Sequence, residues 1–390
     1  MPTQAEFDVL VVGAGSVGNP TAYFLAREGL RVLVLDELAS SGQGQNKAAI
    51  GGVRATHSDP AKIRLCQASL EIFSGWKERT GSDIGWKQGG YCFPAYDDAV
   101  EGTLRRLLPV QHRHHLHIDW LDADGIREIV PGIEPDGLRG GTFSPEDGQV
   151  NPLRAAESFT NEARRAGAVY RYHDPVQGLL LRGNTVVGVS TESGEVRATT
   201  TVVAAGVRAG AICASAGLDI PILPDSHEAG ISAPVKAFLG PLVVDLRPGA
   251  EGKTTNFYFG QDAEGQIIFC YTPRVPIAGV NRTSTYEFMP IAAARLVQLI
   301  PRLKHLTIRR VWRGLYPMTP DGSPIVGRAP NLEGLVLGVG MCGQGFMLGP
   351  GVGANLAALV AHGRPLLEPE VFDLLSPARD LYGGKREALR

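Results

Sequence analysis

The chain has 390 residues, of which 44% are hydrophobic, 20% are charged and 49 are glycine. Glycine therefore makes up about 13% of the chain, nearly twice the usual share of about 7%, but the glycines follow no three-residue period, which excludes a collagen-like protein. Lys and Arg (38) nearly balance Asp and Glu (40), and the formal net charge of −2 gives no global basic field for nucleic acid or an anionic membrane. The length predicts two or three domains or one large interleaved unit.

Three features bear on the location of the protein in the cell. The first seven residues lack the basic and then apolar pattern of a signal peptide, and the five cysteines are odd in number and include no CxxC pair. The uncharged stretch 334–361 has the length of a membrane span, but it is rich in glycine and contains Pro350, so it is predicted to be a buried strand, loop and helix. We therefore expect a reduced, cytoplasmic protein without a transmembrane segment.

The chain opens with the pattern of a βαβ unit. An apolar run at 7–12 has strand length and leads into a GxGxxG turn, a helix is expected over 20–28, and the next apolar run ends at Asp36. In this arrangement the glycines let the backbone approach a pyrophosphate at the helix N-terminus, and the acid accepts hydrogen bonds from a ribose. The unit predicts a dinucleotide site that comprises Gly13, Gly15, Ser16, Val17, Gly18 and Asp36.

Other glycine-rich segments extend this site. The loop 40–54 is polar and glycine-rich, which suits either an extended backbone against a large flat ligand or an ordinary surface loop. The strand 201–206 ends in small residues, as is needed where backbone packs against a nucleotide. Further on, the turn 319–327 and the segment 335–346 precede a helix that is expected to begin near Pro350 and to present its N-terminal NH groups to an acceptor.

Together these blocks resemble the D-amino-acid-oxidase superfamily of FAD-dependent amine oxidoreductases, and most of all the branch that holds sarcosine oxidase, glycine oxidase and the β subunits of dye-linked proline dehydrogenases. The resemblance covers nearly the whole chain. It implies an α/β fold with a Rossmann-type FAD-binding domain, discontinuous in sequence, and an α+β substrate domain built on an antiparallel sheet. The implied FAD-binding domain comprises residues 1–82, 146–216 and 312–390, and the implied substrate-binding domain comprises residues 83–145 and 217–311.

The resemblance also assigns residues to the parts of FAD. Gly13, Gly15 and Gly18 would surround the pyrophosphate, and Asp36 would bind the adenosine ribose. The helix near Pro350 would favour negative charge on the reduced flavin. The phosphates and ribityl chain are expected to contact Ser41, Gln45 and Asn46, and the adenine is expected to contact Val176. The pyrimidine end of the flavin is expected to contact Gly343, Gln344, Gly345 and Phe346. The small residues of the loop and strand described above are also expected to contact the cofactor, and these are Gly51, Gly52, Ala205 and Gly206.

Two departures from sarcosine oxidase narrow the chemistry. The cysteine that is bonded to FAD in monomeric sarcosine oxidases aligns with Gly314, and none of the five cysteines lies near it, so the FAD is expected to be non-covalent. The lysine that activates oxygen in those enzymes aligns with Ile268, in a strand that has no lysine. Because a cation beside the flavin stabilises superoxide, its absence favours a dehydrogenase over an oxidase.

The expected substrate contacts follow from the same alignment. Arg54 matches the arginine that binds the substrate carboxylate, although a structural salt bridge is the alternative role, and Met347 replaces the lysine that assists it. This replacement favours an amino acid that is bulkier or more apolar than sarcosine. His57, Tyr258 and Tyr271 are candidates for lining the pocket or for tuning the protonation of the amine, with ordinary packing as the alternative.

Two further features have competing interpretations. Trp312 is expected either to cover the flavin or to pack in the core. The histidines between 112 and 117 face different sides of a helix and have no carboxylate or cysteine partner nearby in sequence. They are predicted to form a solvated helix end, so no metal site is expected.

The sequence therefore predicts an FAD-dependent amino-acid dehydrogenase that transfers hydride from the amine-bearing carbon of a secondary amine, such as proline or sarcosine, to flavin N5. A D-amino-acid or glycine oxidase that uses oxygen is one alternative, and a flavin-bearing subunit or assembly factor of a multi-subunit complex is another. The expected partners are a small amino-acid substrate and a partner subunit or electron acceptor, and no nucleic acid. A nicotinamide dehydrogenase is disfavoured because the loop after Asp36 and the later glycine-rich segment would then have no role.

Overall fold

The computed structural model of the chain describes residues 6–383 together with Glu387 and Leu389. Two eight-stranded sheets and one two-stranded sheet form its framework. In chain order the strands are β1 (Phe7–Val12), β2 (Val32–Leu35), β3 (Gly52–Val53), β4 (Tyr91–Ala95), β5 (Asp119–Asp122), β6 (Gly140–Ser144), β7 (Gly148–Gln149), β8 (Val169–Arg171), β9 (Val176–Arg182), β10 (Thr185–Thr191), β11 (Gly194–Val203), β12 (Leu223–Pro234), β13 (Leu242–Asp245), β14 (Thr254–Gln261), β15 (Gln266–Pro273), β16 (Ile308–Met318), β17 (Ile325–Arg328) and β18 (Leu335–Val339).

Four of the α-helices begin at a residue whose side chain caps them. The side chain of Asp59 accepts hydrogen bonds from the first backbone NH groups of α2, and Asn151 does the same for α6, with a proline at the first position of each helix. The α-helices are α1 (Gly18–Arg27), α2 (Pro60–Ser74), α3 (Trp76–Thr80), α4 (Asp98–Arg113), α5 (Ala123–Ile129), α6 (Pro152–Arg165), α7 (Ala209–Ala214), α8 (Phe288–Leu299), α9 (Gly345–His362) and α10 (Pro369–Phe372).

The first sheet contains the predicted βαβ unit. Its order is β17-β18-β11-β1-β2-β8, with parallel pairing from β18 to β8, while β9 and β10 pair antiparallel beyond β11. Strand β1 is apolar throughout because both of its faces are covered: Val9 and Val11 pack in the core with the helices, and Leu10 and Val12 pack in the core of the opposite face. The predicted α/β fold is confirmed.

Helix α9 is central to this half of the molecule. A Cβ added at Gly349 would overlap the carbonyl oxygen of Ser16, and one added at Gly353 would lie 2.7 Å from the backbone nitrogen of Thr21, so both glycines allow α9 to pack closely against the start of α1. Within the described residues, α9 is the one helix long and apolar enough to cross a membrane, and 72% of it is buried inside the protein. It begins at Gly345 rather than near Pro350, which lies within the helix.

The second sheet has the order β16-β12-β15-β14-β13-β4-β6-β5, and its neighbours are antiparallel except for β4 and β13. Strands β14 and β15 form a hairpin. Strand β16 belongs wholly to this sheet, so the domain boundary expected at 312 falls inside a strand. The division of the chain into two domains stays a prediction.

The histidines after 111 lie at the end of α4, whose last residue is Arg113. His112 Nε2 donates a hydrogen bond to the carbonyl oxygen of Ile118, and His117 pairs with Glu146 on the surface. Among residues 6–383, Glu387 and Leu389, no group of three or more His, Cys, Asp or Glu side chains is placed to hold a metal ion.

Candidate active site

A cavity of about 870 Å³ lies between the two large sheets. Strands β1, β2 and β18 contribute their last residues to its lining, and Ala204 follows the end of β11. The second sheet contributes side chains of β4 and of β12 to β16. The carboxyl ends of parallel strands are the usual ligand-binding edge of an α/β sheet, and the volume is at the upper end of the range of about 300–1,000 Å³ for small-molecule sites. The cavity therefore has room for a large ligand.

The turn after β1 forms one end of the cavity. Gly13 has φ = +105°, a conformation that side chains disfavour, and the turn brings the backbone NH of Ala14 to 2.7 Å from the Asp36 carboxylate. The other carboxylate oxygen of Asp36 accepts a hydrogen bond from the backbone of Leu38 at 2.8 Å. Burial raises the pKa of Asp36, against the effect of these two hydrogen bonds. The acid is thereby fixed at the cavity wall, where the sequence predicts a ribose contact.

Gly15 provides a test of whether a ligand belongs here. A Cβ added at this residue would meet no protein atom within 4 Å, so packing inside the protein does not require glycine there. The same holds for Gly206, which has φ = +54°. Both residues line the cavity, and glycines with open space beside them are what close approach of a dinucleotide backbone requires. The residues present fit a dinucleotide.

Most of the residues predicted to contact the cofactor lie along the cavity. Gly18 does not, because it packs against the carbonyl of Gly13, and Ser41 hydrogen-bonds to Tyr172 at 2.8 Å instead. The side chains of Gln45 and Asn46 are held by Leu315 and Pro152 backbone groups respectively. The predicted residues that line the cavity are Gly13, Gly15, Ser16, Val17, Asp36, Gln45, Asn46, Gly51, Gly52, Val176, Ala205, Gly206, Gly343, Gln344, Gly345 and Phe346.

The other end of the cavity holds further groups that suit a flavin. The amide oxygen of Gln344 is buried without a hydrogen-bond partner in the described part of the chain, so it is free to accept one from a ligand. Gly314 lines the cavity, but so do Cys270 and Cys342, which corrects the expectation that no cysteine lies near. Burial raises the pKa of both thiols, to about 12 for Cys270, so they are protonated at neutral pH.

A network of aromatic side chains forms the wall contributed by the second sheet. The hydroxyl oxygens of Tyr258 and Tyr316 lie 3.1 Å apart, and the ring of His227 stacks on Tyr316 at 3.9 Å between centroids. His227 Nε2 lies 3.2 Å from the Asp225 carboxylate. Burial raises the pKa of both tyrosines. For Asp225 burial also acts to raise the pKa, but the contacts with His227 and the backbone NH groups of Ile277 and Ser226 together outweigh it and lower the pKa. His227 Nδ1 is buried without a partner among the described residues.

Arg54 lines the cavity beside this wall. Its two terminal nitrogens donate hydrogen bonds to the carbonyl oxygens of Thr56 and, at 2.7 Å, of Leu389. Its guanidinium carbon lies 5.5 Å from the centre of the Phe93 ring. Asp147 holds the backbone that follows Arg54, through the NH of Ala55 and the hydroxyl of Thr56, and burial raises the pKa of this carboxyl to about 6. Within the described part of the chain, Arg54 is therefore held in place by backbone carbonyls and forms no salt bridge.

A buried group of charged side chains adjoins Arg54. His57 Nδ1 lies 3.4 Å from Arg54 and 3.7 Å from the Glu387 carboxylate, while Lys62 Nζ lies 3.9 Å from that carboxylate and donates to the carbonyl of Gly322. Burial, aided by the Arg54 charge, lowers the pKa of His57 to about 4, so the ring is neutral at pH 7. The pKa of Glu387 is well below its usual range because the His57, Lys62 and Ser58 contacts outweigh burial. Lys62 and Glu387 line the cavity, and His57 lies behind them.

Not every predicted site residue reaches the cavity. Met347 and Tyr258 line it, whereas Tyr271 packs on Phe288 in the core of the second sheet, with 5.2 Å between ring centres. Trp312 and Ile268 also lie outside the lining, and Trp312 donates a hydrogen bond to the carbonyl of Ala48. The cavity-lining residues that sequence reasoning missed include the charged and aromatic side chains of Lys62, Asp225, His227, Tyr316 and Glu387.

The similarity of the chain to known proteins agrees with this geometry. L-proline dehydrogenase from P. horikoshii is 30% identical in sequence and superposes with a TM-score of 0.90, covering 98% of this chain and 100% of that one. Glycine oxidase of Pseudomonas aeruginosa is 28% identical over 93% of this chain and 97% of its own length. Sarcosine oxidase subunit beta of Rhizobium meliloti is 26% identical over 95% and 88% of the two chains.

Other relatives are longer. 4-Methylaminobutanoate oxidase of Paenarthrobacter nicotinovorans is 24% identical over 96% of this chain, but that match spans 46% of the relative, so the chain has less than half the length of some relatives that it matches.

The family model described as DAO, FAD dependent oxidoreductase, matches residues 8–359. This match covers most of the chain, including both large sheets and the cavity between them, and the chain accordingly belongs to the DAO family of FAD-dependent oxidoreductases.

Proposed function

We propose that the chain is an FAD-dependent amino-acid dehydrogenase whose substrate is a secondary amine such as proline or an N-methyl amino acid. The observation that carries this proposal is one cavity that continues from the Gly13 turn to Arg54 and the wall of Tyr258, Tyr316 and His227. This continuity supports the proposal because a cation and an aromatic wall, suited to an amino acid, line the same cavity as the turn suited to a dinucleotide. The 30% identity with L-proline dehydrogenase over nearly the whole chain supports it.

The residues of this chain have distinct roles in the proposed reaction. Bound FAD supplies a hydride acceptor for the carbon that carries the amine. Arg54 binds the substrate carboxylate through paired hydrogen bonds. The flat surfaces of Tyr258 and Tyr316 limit the orientations of the amine and its alkyl group, and they exclude water from the reacting carbon. Met347 lines the apolar side of the pocket.

We assign the removal of the amine proton to His227. An amine carries a proton in water near pH 7, and hydride leaves readily only from the neutral amine, whose lone pair stabilises the imine product. Because the Asp225 carboxylate is held ionised, it favours the tautomer in which His227 Nε2 donates to it, and in that tautomer the lone pair of Nδ1 can accept a proton. The Asp225 contact thus sets the tautomer of His227.

The choice of electron acceptor separates the dehydrogenase from an oxidase. Because Ile268 lies outside the cavity lining, the lack of a lysine at that position does not decide this choice, and the charge of Lys62 bears on it instead. Lys62 favours the second candidate, an oxidase, because its ammonium group lines the cavity. Since Glu387 lies 3.9 Å from Lys62 Nζ and compensates its charge, we favour the dehydrogenase. Gly314 at the position of the flavin-linked cysteine supports non-covalent FAD.

A role as the flavin-bearing subunit of a complex is compatible with the same site, and the similarity to sarcosine oxidase subunit beta supports it. The enzyme would then require a partner subunit for turnover but not for reduction of its own FAD by substrate. We also infer a cytoplasmic location, because all five cysteines are buried free thiols.

The test is anaerobic reduction of the purified FAD-loaded protein with a panel of amino acids, followed by admission of air. We expect proline or an N-methyl amino acid to bleach the flavin absorbance, with slow recovery in air. Fast recovery with release of hydrogen peroxide would establish the oxidase instead. Bleaching without turnover on any soluble acceptor would establish the subunit role, and no bleaching by any amine would exclude both enzyme hypotheses.

A further inference from the structure

The far end of the described chain contacts the proposed substrate site. The carbonyl oxygen of Leu389 accepts a hydrogen bond from Arg54 Nη2 at 2.7 Å, and Arg54 Nη1 donates to the carbonyl of Thr56. Both terminal nitrogens of the guanidinium are therefore engaged by carbonyl oxygens. A carboxylate that binds this edge of Arg54 with two parallel hydrogen bonds has to replace Leu389.

The charges around Arg54 are already balanced. Glu387 lines the cavity, accepts hydrogen bonds from the Ser58 backbone and hydroxyl at 2.8 and 2.6 Å, and compensates Lys62. The buried group thus has two cations, Arg54 and Lys62, and two carboxylates, Glu387 and Asp147. A substrate carboxylate added to this set would leave an uncompensated buried negative charge, which is costly. If Glu387 leaves, the substrate carboxylate restores the balance.

Leu389 occupies an apolar pocket of the second sheet. Its side chain is 1% exposed and packs in a core cluster with residues of β4, α4 and β13, among them Phe93, Leu104 and Leu242. Glu387 and Leu389 therefore present, beside one another, a carboxylate, a carbonyl oxygen on Arg54 and a branched aliphatic side chain. An aliphatic amino acid carries the same kinds of group, a carboxylate and a branched aliphatic side chain, in addition to its amine.

The chain that precedes this segment is firmly attached. Arg379 forms an ion pair with Asp321 at 2.8 Å and also donates to the carbonyl of Ser323. If Glu387 and Leu389 leave their sites, this attachment keeps them nearby at a high effective concentration. They can then rebind once the site is empty.

We propose that the segment carrying Glu387 and Leu389 is a displaceable occupant of the substrate site, and that the substrate which displaces it combines a carboxylate with a branched aliphatic group. The proposal rests on the proposed function for the identity of the site. The carboxylate takes the place of the Leu389 carbonyl at Arg54, and the aliphatic group enters the pocket of the Leu389 side chain. The apparent affinity for substrate is then the intrinsic affinity multiplied by the fraction of time for which the segment leaves the site free.

The test measures binding rather than oxidation. The probe is 3-methylbutanoate, which has the carboxylate and the branched group but no amine, and its binding to the FAD-loaded protein is followed by calorimetry and by the change in flavin absorbance. Leu389→Ala weakens the hold of the segment without changing any charge, and we expect it to tighten 3-methylbutanoate binding by about tenfold. Glu387→Gln should tighten it as well. The matched control is Glu370→Gln on the exposed surface of α10, which should leave binding unchanged.

A second measurement detects displacement of the segment directly. Trypsin cleaves after Lys385 and Arg386, and release of the segment is followed by mass spectrometry with and without saturating 3-methylbutanoate. Faster release with the ligand, together with tighter binding by Leu389→Ala, supports displacement. Unchanged or weaker binding by Leu389→Ala would overturn the proposal and make the segment a permanent wall. Because no oxidation is involved, tighter binding without bleaching by any amine would reject the proposed function and retain the displaceable segment.

Discussion

The hydroxyl groups of Tyr258 and Tyr316 meet at 3.1 Å although β14 and β16 are separated in the sheet by two other strands. The strands between them contribute the small residues Ala229 and Cys270 to the cavity lining, which leaves space for the two rings to approach each other. His227 stacks on Tyr316, so this contact also fixes the ring that we assign to proton removal. The wall is held by side chains from three strands.

His227→Asn should change the pH dependence of flavin reduction. Without the Nδ1 acceptor, only substrate that arrives as the neutral amine can react, so the rate should fall by about 10²-fold near pH 7 and recover as the pH rises toward the pKa of the amine. Stopped-flow measurement of anaerobic flavin reduction between pH 6 and 10 checks this. Tyr271→Phe, which lies outside the cavity lining, is the control and should behave like the unmodified protein. A profile of unchanged shape in His227→Asn would reject the role of the histidine.

Arg54→Ala should weaken the binding of carboxylate substrates by about 1.5–3 kcal/mol, the usual scale for a hydrogen bond to a charged group. The binding of the substrate amide, which has no negative charge, should be weakened much less. Dissociation constants from titration of the flavin absorbance with both compounds give the comparison. Equal losses for acid and amide would mean that Arg54 shapes the site without binding the carboxylate.

Gly15→Ala and Gly18→Ala should affect different properties, the first FAD binding and the second the stability of the FAD-free protein. A methyl group at Gly15 meets no protein atom, so the melting temperature of the FAD-free protein should be unchanged while FAD binding weakens by at least about tenfold. A methyl group at Gly18 overlaps the carbonyl of Gly13, so this variant should melt at a lower temperature even without FAD. Melting curves of the FAD-free proteins and FAD titrations separate the two effects. Unchanged FAD affinity in Gly15→Ala would contradict the position of the dinucleotide.

Lys62→Met should leave the reaction of the reduced flavin with oxygen slow and within about twofold of the unmodified protein, because Glu387 already compensates the lysine charge. The rate of reoxidation after mixing the reduced protein with air-saturated buffer measures this. Lys47→Met, at an exposed lysine in the loop after Asp36, is the control. A tenfold loss of the oxygen reaction in Lys62→Met alone would instead identify Lys62 as the oxygen-activating cation of an oxidase.

His57 should make the folded protein sensitive to acid. Its pKa is about 4 in the folded state against about 6.5 when exposed, so between these values the unfolded chain binds the proton more readily and stability falls as the pH falls. The loss from this group between pH 7 and 5 is about 2 kcal/mol. Asp147, with its pKa raised to about 6, acts in the opposite direction.

The comparison is therefore made between variants. His57→Asn should lose less stability than the unmodified protein when the pH is lowered from 7 to 5, as followed by thermal unfolding at both values. His305→Asn, at an exposed histidine, should lose as much stability between pH 7 and 5 as the unmodified protein does. An equal loss in His57→Asn would mean that the ring takes up a proton in the folded state.

The sequence was sufficient for the features that depend on local pattern. The apolar run before Gly13, the turn and Asp36 lie within one βαβ unit, and their roles follow from spacing alone. The sequence pattern did not distinguish Tyr258, which lines the cavity, from Tyr271, which does not. Tyr258 pairs with Cys270 across the hairpin and Tyr271 with Phe257, so alternation places the first pair at the cavity and the second in the core. The register of the hairpin, which the sequence did not supply, decides between the two tyrosines.

The remaining site residues depend on contacts between distant parts of the chain. His227 and Asp225 lie two positions apart on β12, in a segment with no motif, and they reach the cavity because β12 pairs with β16. Lys62 belongs to no motif in the sequence, and its partner Glu387 is more than 300 residues away. Such pairs follow from the order of strands and from the path of the chain after α9, not from local spacing.

The loop that follows Asp36 is joined to the second sheet by two hydrogen bonds. The backbone NH of Leu315 donates to the side chain of Gln45, and the indole NH of Trp312 donates to the carbonyl of Ala48. The loop predicted to contact the phosphates and the strand that carries Tyr316 are therefore tied to each other. A cofactor that orders this loop thereby also aligns the substrate wall, so loss of FAD disorganises amine recognition at the same time as it removes the electron acceptor.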